Sequence, residues 1–377
     1  MAPSVDLKIP PSTSIVSVSI IDTGTIIRGL KASALVEPEI LGHDYLVAPC
    51  YSFLIQNPTL NRTLVFDLGI KKDWENWPKP LYDSVIASGA TPIVPRDVRE
   101  FLDMHGFDTE NIEGVVWSHG HFDHIGDIST FAPSTKLIVG TGSKEHVFPS
   151  YPTNPAAPFH EADVAGREVE ELDFGTSSLK IGGLAAIDYF GDGSFYLLDA
   201  PGHYIGHMCG FARVTSNPDS FILMSGDAIH HGGQLRPHPW HPLPESILPD
   251  PFNLTSPQSC PGEIFHDLLR DGKQAPFYLP SQQPHTYHYD VPTMVETIKK
   301  LQEIDAHDNI LIVPAHDASF LNVAEFFPKT ANAFMEKGWG QKTKWSWLAD
   351  FAKAVGKDDD IPRKLWGDFR PVVTKKG

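Results

Sequence analysis

Four apolar runs in this chain each end on a small-residue turn that delivers histidine or aspartate. They are VVWSHGHFDH at 115–124, LLDAPGH at 197–203, ILMSGD at 222–227 and ILIVPAH at 310–316. Short runs rich in Val, Ile and Leu, closed by Gly or Pro, read as strands buried on both faces. Polar residues at the ends of separate strands can converge on one rim of a sheet, where turns are free to carry function. A fold that suits this chain must therefore be layered, with its strand ends gathered at one edge.

The rest of the chain supports a layered α/β sandwich over a doubly wound parallel sheet. SIVSVSIIDTG reads as a strand, and YLVAPCYSFLIQ and TLVFDLGI read as a strand pair joined by NPTLNR. A Trp- and Pro-bearing insertion spans 71–95, and RDVREFLDMHG then reads as a helix stopping at Gly106. TKLIVG, LAAIDYFGDGSFYLLDA, MCGFARVT and SFILMSGDA continue as short strands, with GDG marking a hairpin. Residues 231–261 contain eight prolines and read as a long loop. VPTMVETIKKLQEIDAH has helical apolar spacing, and the last 55 residues read as mostly helical.

The chemistry starts with HGHFDH. His119 and His121 are two apart on extended chain, so both imidazoles face one side and can grip one ion. Asp123 and His124 lie where the chain turns toward a helix and can address a second ion nearby. Histidine and aspartate suit Zn, Fe, Mn or Co, and the absence of cysteine from the cluster argues against a purely structural zinc site. His203, Asp227 and His316 at the other strand ends extend the same constellation.

The ordered set HGHFDH, PGH, SGD and PAH resembles the metallo-β-lactamase fold superfamily over about residues 15–320. The resemblance implies a four-layered αββα sandwich, here with additional C-terminal helices at about 321–377, the whole of 1–377 forming one domain. It implies one metal held by His119, His121 and His203, a second held by Asp123, His124 and His316, and the Asp227 carboxylate bridging them. Two divalent ions per chain follow, zinc first, with manganese or iron as alternatives. Asp67 in VFDLG stands where the family has a carboxylate that orients a ligand imidazole. His207 would serve equally as such a support or as a plain turn residue.

Two ions sharing a water would lower its pKa toward about 7. The expected function is a dinuclear hydrolase that opens a cyclic ester or amide by attack of a metal-bound hydroxide on the carbonyl, with Asp123, Asp227 and His230 as catalytic residues. The DYFGDGSFYLLDAPGHYIGH stretch resembles the N-acyl homoserine lactonase branch and related fungal-type lactone and lactam hydrolases. That branch usually has a tyrosine three residues after the bridging aspartate, where this chain has His230. Either His230 or His231 is a candidate donor to the leaving group, and Tyr204 is a second candidate contact. Trp74, Trp77, His238, Trp240 and His241 are candidate pocket walls.

Two other reactions use the same first motif: a mononuclear-iron persulfide dioxygenase, with two His and one Asp, and a thiolester hydrolase of the glyoxalase II type. Composition narrows the partners. A net charge of -17 with dispersed Lys and Arg disfavours nucleic acid. No run approaches the roughly 20 apolar residues that span a bilayer. The partner is thus a small molecule, with neither nucleic acid nor membrane, and a homodimer through the C-terminal helices is an alternative use of that region. No secretory signal is read at the N-terminus, and Cys50, Cys209 and Cys260 lack disulfide or metal-ribbon spacing, so the expected location is cytoplasmic.

Overall fold

Large apolar side chains alternate along most strands, and both sides of that alternation are buried. The computed structural model describes residues 5–284 and 286–367. The remaining residues of the expected 1–377 domain, including 368–377 of the C-terminal stretch, lie outside those described. One sheet contains β1 (Ser17–Arg28), β2 (Ala48–Asn57), β3 (Arg62–Phe66), β4 (Thr91–Ile93), β5 (Gly114–Val116), β6 (Lys136–Val139) and β7 (Val169–Glu171). Their order is β4-β1-β2-β3-β5-β6-β7, with β3, β5, β6 and β7 parallel. The second contains β8 (Lys180–Ile181), β9 (Leu184–Asp188), β10 (Phe195–Asp199), β11 (Met208–Thr215), β12 (Ser220–Met224) and β13 (Ile310–Val313). Their order is β13-β12-β11-β10-β9-β8.

Tyr51, Phe53, Ile55 and Phe66 of the first sheet meet Leu197, Ile222, Met224 and Val313 of the second in the central core. The next residues along the same strands point outward. Leu54, Val65, Val115 and Leu137 pack with Val98 and Leu102, whereas Leu198, Phe211, Leu223 and Ile312 pack with Met294, Ile298 and Leu301. The helices are numbered in chain order α1 (Lys79–Ser88), α2 (Val98–Met104), α3 (Phe122–Ile125), α4 (Gly232–Leu235) and α5 (Val291–Asp305), and these outer contacts come from α2 and α5. The layers are α2, first sheet, second sheet and α5, which is the αββα sandwich. In α5 the buried positions 294, 298 and 301 recur at helical spacing, and the Asp290 carboxylate caps its first turn through the Thr293 amide at 3.1 Å.

The C-terminal helices are present but short, at Trp339–Thr343 and Ile361–Trp366 with 3-10 turns between them. Residues 326–338 form mostly turns in place of the helical structure expected over the last 55 residues. The segment is tied to both sheets instead: the Asn332 carboxamide accepts from the Val18 amide at 3.0 Å and donates to the carbonyls of Val16 and Val214 at 2.9 and 3.0 Å. The Phe327 and Ala331 amides likewise donate to the Ile20 and Val18 carbonyls at 2.7 Å each, so this backbone bonds to β1 instead of to a helical turn of its own. Phe334 and Trp339 then enter the central core.

After α4 the Pro-rich 231–261 segment holds one two-residue strand pair, Ser246–Ile247 with Cys260–Pro261. The segment is nonetheless packed down, because Leu243, Ile247 and Cys260 share a cluster with Trp345, Trp347 and Phe351. All three cysteines are free and buried. Among the described residues no helix is long and apolar enough to cross a membrane.

Candidate metal centre

Strands β10 and β12 are both antiparallel to β11, and β13 is parallel to β12, so the turns after β10, β12 and β13 leave the second sheet at one edge. The parallel β3 and β5 bring Asp67 and the HGHFDH turn to the same place. The turn begins beyond the strand rather than on it: β5 ends at Val116, residues 118–121 are bends, and α3 carries Asp123 and His124 inward. His119 and His121 nevertheless converge, with ring centroids 4.7 Å apart.

Seven side chains form two groups that share Asp227. Ligand-capable atoms of His119, His121, His203 and Asp227 lie within 4.8 Å of one another, as do those of Asp123, His124, Asp227 and His316. His203 Nε2 is 3.2 Å from His119 Nε2 and 2.9 Å from His121 Nδ1. The Asp227 carboxylate divides between the groups. Its Oδ2 lies 3.5 Å from His203 Nε2, while its Oδ1 lies 3.1 Å from His124 Nε2 and 3.2 Å from His316 Nε2. His316 Nε2 is also 3.3 Å from Asp123 Oδ2.

Partners behind the rings decide which nitrogen faces inward. The carboxylate of Asp67 accepts from the Ser118 amide at 2.6 Å, the Ser118 hydroxyl at 2.8 Å and His124 Nδ1 at 2.7 Å. His316 Nδ1 donates to the Pro49 carbonyl at 2.7 Å. Both rings therefore keep a proton on Nδ1 and turn Nε2 into the centre, where a bound ion would take the place of a second proton. Asp67 holds φ +59°, a left-handed conformation that is costly for a non-glycine residue and aims its carboxylate under the HGHFDH turn. His207 donates from Nδ1 to the Ala200 carbonyl at 2.9 Å and accepts the Asp227 amide on Nε2 at 3.0 Å, so it fixes the backbone of the shared aspartate.

These residues fit a cation. His124 Nε2, His316 Nε2 and Asp227 Oδ1 are buried without a hydrogen-bond partner, although an unmatched buried polar atom costs about 1–3 kcal/mol. A positive ion between them would satisfy all three. Burial opposes charge on His124 and His316, but the carboxylates, Asp227 foremost, outweigh it and hold both imidazoles well above the ordinary histidine value. In the other group burial and neighbouring imidazoles hold His119 and His203 well below it, as neutral donors. Nitrogen and carboxylate donors without thiolate suit a divalent ion such as zinc, manganese or iron.

Two further groups have similar spacing. His43, His231 and Asp350 lie within ligand distance of one another, but the Gly233 amide donates to His231 Nδ1 at 3.0 Å. That bond places the neutral ring's proton on Nε2, which donates to Asp350 at 3.3 Å and has no lone pair left for a metal. His231 thus belongs to a latch between α4 and the C-terminal segment, not to the reaction site expected as one alternative. His203, His230 and His288 form the last group. His230 Nε2 reaches Asp227 Oδ2 at 3.1 Å, and its Nδ1 is buried without a partner.

A cavity of about 250 Å³ opens over the centre. His121, Asp123, His203, Asp227, His230 and His316 lie at its base, and Leu30, Leu35, Leu81, Val85, Phe122 and Tyr204 contribute to its walls. The expected walls are corrected in part. The 71–95 insertion contributes Leu81, Ser84 and Val85 of α1. Trp77 stands behind, edge-on to Phe122 at 5.0 Å, with Trp74 packed against it. The Pro-rich loop adds no wall, since His238 and His241 turn to Asp305 at 2.9 Å each. Tyr287, at the wall, and His288, behind His203, escaped the sequence reading. The TYHYD stretch follows no apolar strand, and the only signal there is Asp290 capping α5.

The metallo-beta-lactamase superfamily model matches residues 46–275. A protein named Gamma-lactamase FDB1 from Fusarium pseudograminearum is 42% identical over 350 residues, covering 91% of this chain and 84% of that protein. Metallo-hydrolase mfmC from Annulohypoxylon moriforme is 41% identical over 353 residues, covering 93% and 91%. Among solved structures, a B. thuringiensis AiiA variant with N-decanoyl-L-homoserine at its active site superposes with a TM-score of 0.56 at 15% identity. It spans 84% of this chain and 99% of its own, a likeness of fold.

Proposed function

The chain belongs to the metallo-β-lactamase superfamily, and from that premise we propose that it is a dinuclear metal-dependent hydrolase that opens a cyclic amide or ester. The observation that carries this reading is the division of the Asp227 carboxylate between two groups of ligand-capable side chains. His119, His121 and His203 would hold one ion, and Asp123, His124 and His316 the other. Bound there, a pair of divalent ions would supply Lewis acidity to polarise a carbonyl and to make water a nucleophile near neutral pH. Zinc is the proposed metal.

The protein's own groups bind and orient the substrate. The Leu30, Leu35, Leu81, Val85 and Phe122 side chains would bury the apolar body of a small ring and exclude water from around the carbonyl. His230 keeps Asp227 in place through Nε2. We assign to it also a hydrogen bond from the same Nε2–H to the departing nitrogen or oxygen. The relatives named as a γ-lactamase and a metallo-hydrolase make a lactam the first compound to try. No Lys or Arg lines the cavity among the described residues, so an anionic glutathione thiolester would meet no counter-charge. The two groups offer twice the site that a mononuclear-iron dioxygenase uses. Three free buried cysteines suit a reducing compartment, and the cytoplasm is the proposed location.

The test is metal analysis of the purified protein with assays of lactams, lactones and thiolesters before and after chelation. About two ions per chain, ring opening lost on chelation and its return with Zn²⁺ are expected. Oxygen consumption with a single iron, or hydrolysis indifferent to chelators, would overturn the reading.

A further inference from the structure

His203 is the one histidine of the first group whose outward nitrogen meets another imidazole. Its Nδ1 lies 3.1 Å from Nδ1 of His288, and the far nitrogen of His288, Nε2, lies 2.8 Å from the Leu35 carbonyl. A carbonyl only accepts, so Nε2 of His288 carries the proton, and its Nδ1 presents a lone pair. His203 must then donate from Nδ1, which leaves its Nε2 lone pair facing His119, His121 and Asp227. The opposite tautomer of His203 would oppose two lone pairs at 3.1 Å and wedge a proton among the inward nitrogens, 2.9 and 3.2 Å away.

The backbone builds this relay deliberately into the turn. The Tyr289 amide donates to the His203 carbonyl at 2.9 Å and the Asp290 amide to the Gly202 carbonyl at 2.8 Å, so the residues after His288 are tied to the turn that carries His203. The Leu35 carbonyl is a hub. It also receives the Ser281 amide at 3.1 Å and Gln234 Nε2 at 3.4 Å, and Gln234 Oε1 accepts the His230 amide at 2.7 Å. The Leu35 side chain meanwhile lines the cavity.

We propose that His288 is a positioning residue that fixes the tautomer and orientation of His203 for metal binding, anchored on the Leu35 carbonyl. This rests on the reading that His203 holds a metal. Partners of this kind typically change metal affinity by about 10–100-fold. The His288→Phe variant removes the acceptor and keeps the bulk. The His288→Gln variant keeps both an acceptor for His203 and a donor for Leu35.

The experiment is a chelator competition on wild type and both variants, read as metal ions retained per chain, with the melting temperature of each metal-free protein as a second readout. Wild type should hold two ions. His288→Phe should release one of them at about 10–100-fold lower chelator concentration, and His288→Gln should restore retention. Wild-type retention in His288→Phe would overturn the proposal and leave the functional reading standing. Equal losses in both variants, matched by equal drops in metal-free melting temperature, would reduce His288 to a packing role. A wild type that binds no metal would sink both ideas. Should His288→Phe fail to fold, ¹⁵N-histidine spectra of the metal-free wild-type protein decide. Protons on His203 Nδ1 and His288 Nε2 are expected, and a proton on His203 Nε2 overturns the proposal.

Discussion

Asp227 gives one oxygen to each ligand group, and the residues around it are arranged to keep it there: His207 fixes its amide and His230 its Oδ2. Of these two, only His230 lines the cavity. His230→Ala is therefore expected to lower turnover by roughly 10²–10⁴-fold while two metals remain bound. Steady-state kinetics at verified metal occupancy measure this, and unchanged turnover would remove His230 from the reaction. The seven ligand-capable residues were legible because His and Asp are conspicuous directly after apolar strands. His288 was not, since it acts from an irregular segment whose position depends on long-range bonds to residues 202 and 203. His231 misled for a related reason: adjacent in sequence to His230, it turns the other way to cap α4 and meet Asp350.

At the scale of elements, the turn between β10 and β11 shows how packing constrains the site. Gly202 has φ +123°, and a Cβ there would lie 2.2 Å from the Met294 amide nitrogen at the start of α5. The helix can approach the PGH turn only because that position has no side chain. Gly202→Ala is expected to cost about 1–3 kcal/mol or more of stability from backbone strain, measured as a lower urea midpoint, and to loosen the metal held through His203. A wild-type midpoint would mean that α5 moves aside at little cost. Strands were readable because burial on both faces writes continuous apolar runs. The C-terminal region was not, because long-range bonds of its backbone and of Asn332 to the sheets override the local helical spacing.

Across the whole molecule, the sandwich leaves its chemistry on one edge and braces that edge with the latch of His43, His231 and Asp350. Burial lowers His43 to about 4, from 6.5 for a free histidine. The unfolded chain thus binds more protons than the folded one between these values. His43 supports folding fully above pH 6.5, and its contribution falls away as pH drops toward 4. His43→Phe should show a smaller loss of urea midpoint between pH 7 and pH 5 than wild type, compared as metal-free proteins. Equal losses would show that His43 does not supply this acid sensitivity. The order of the layers was implied by the motif set, whereas the latch depends on contacts between residues far apart in the chain, His231 with Asp350 and His43 with His231.

The central claim concerns two ions flanking Asp227, and anomalous diffraction from crystals of the zinc-loaded protein tests it most directly. The account predicts two peaks about 3.5–4 Å apart, one among His119, His121 and His203 and one among Asp123, His124 and His316, with Asp227 between them. A single peak, or peaks away from these side chains, would contradict it.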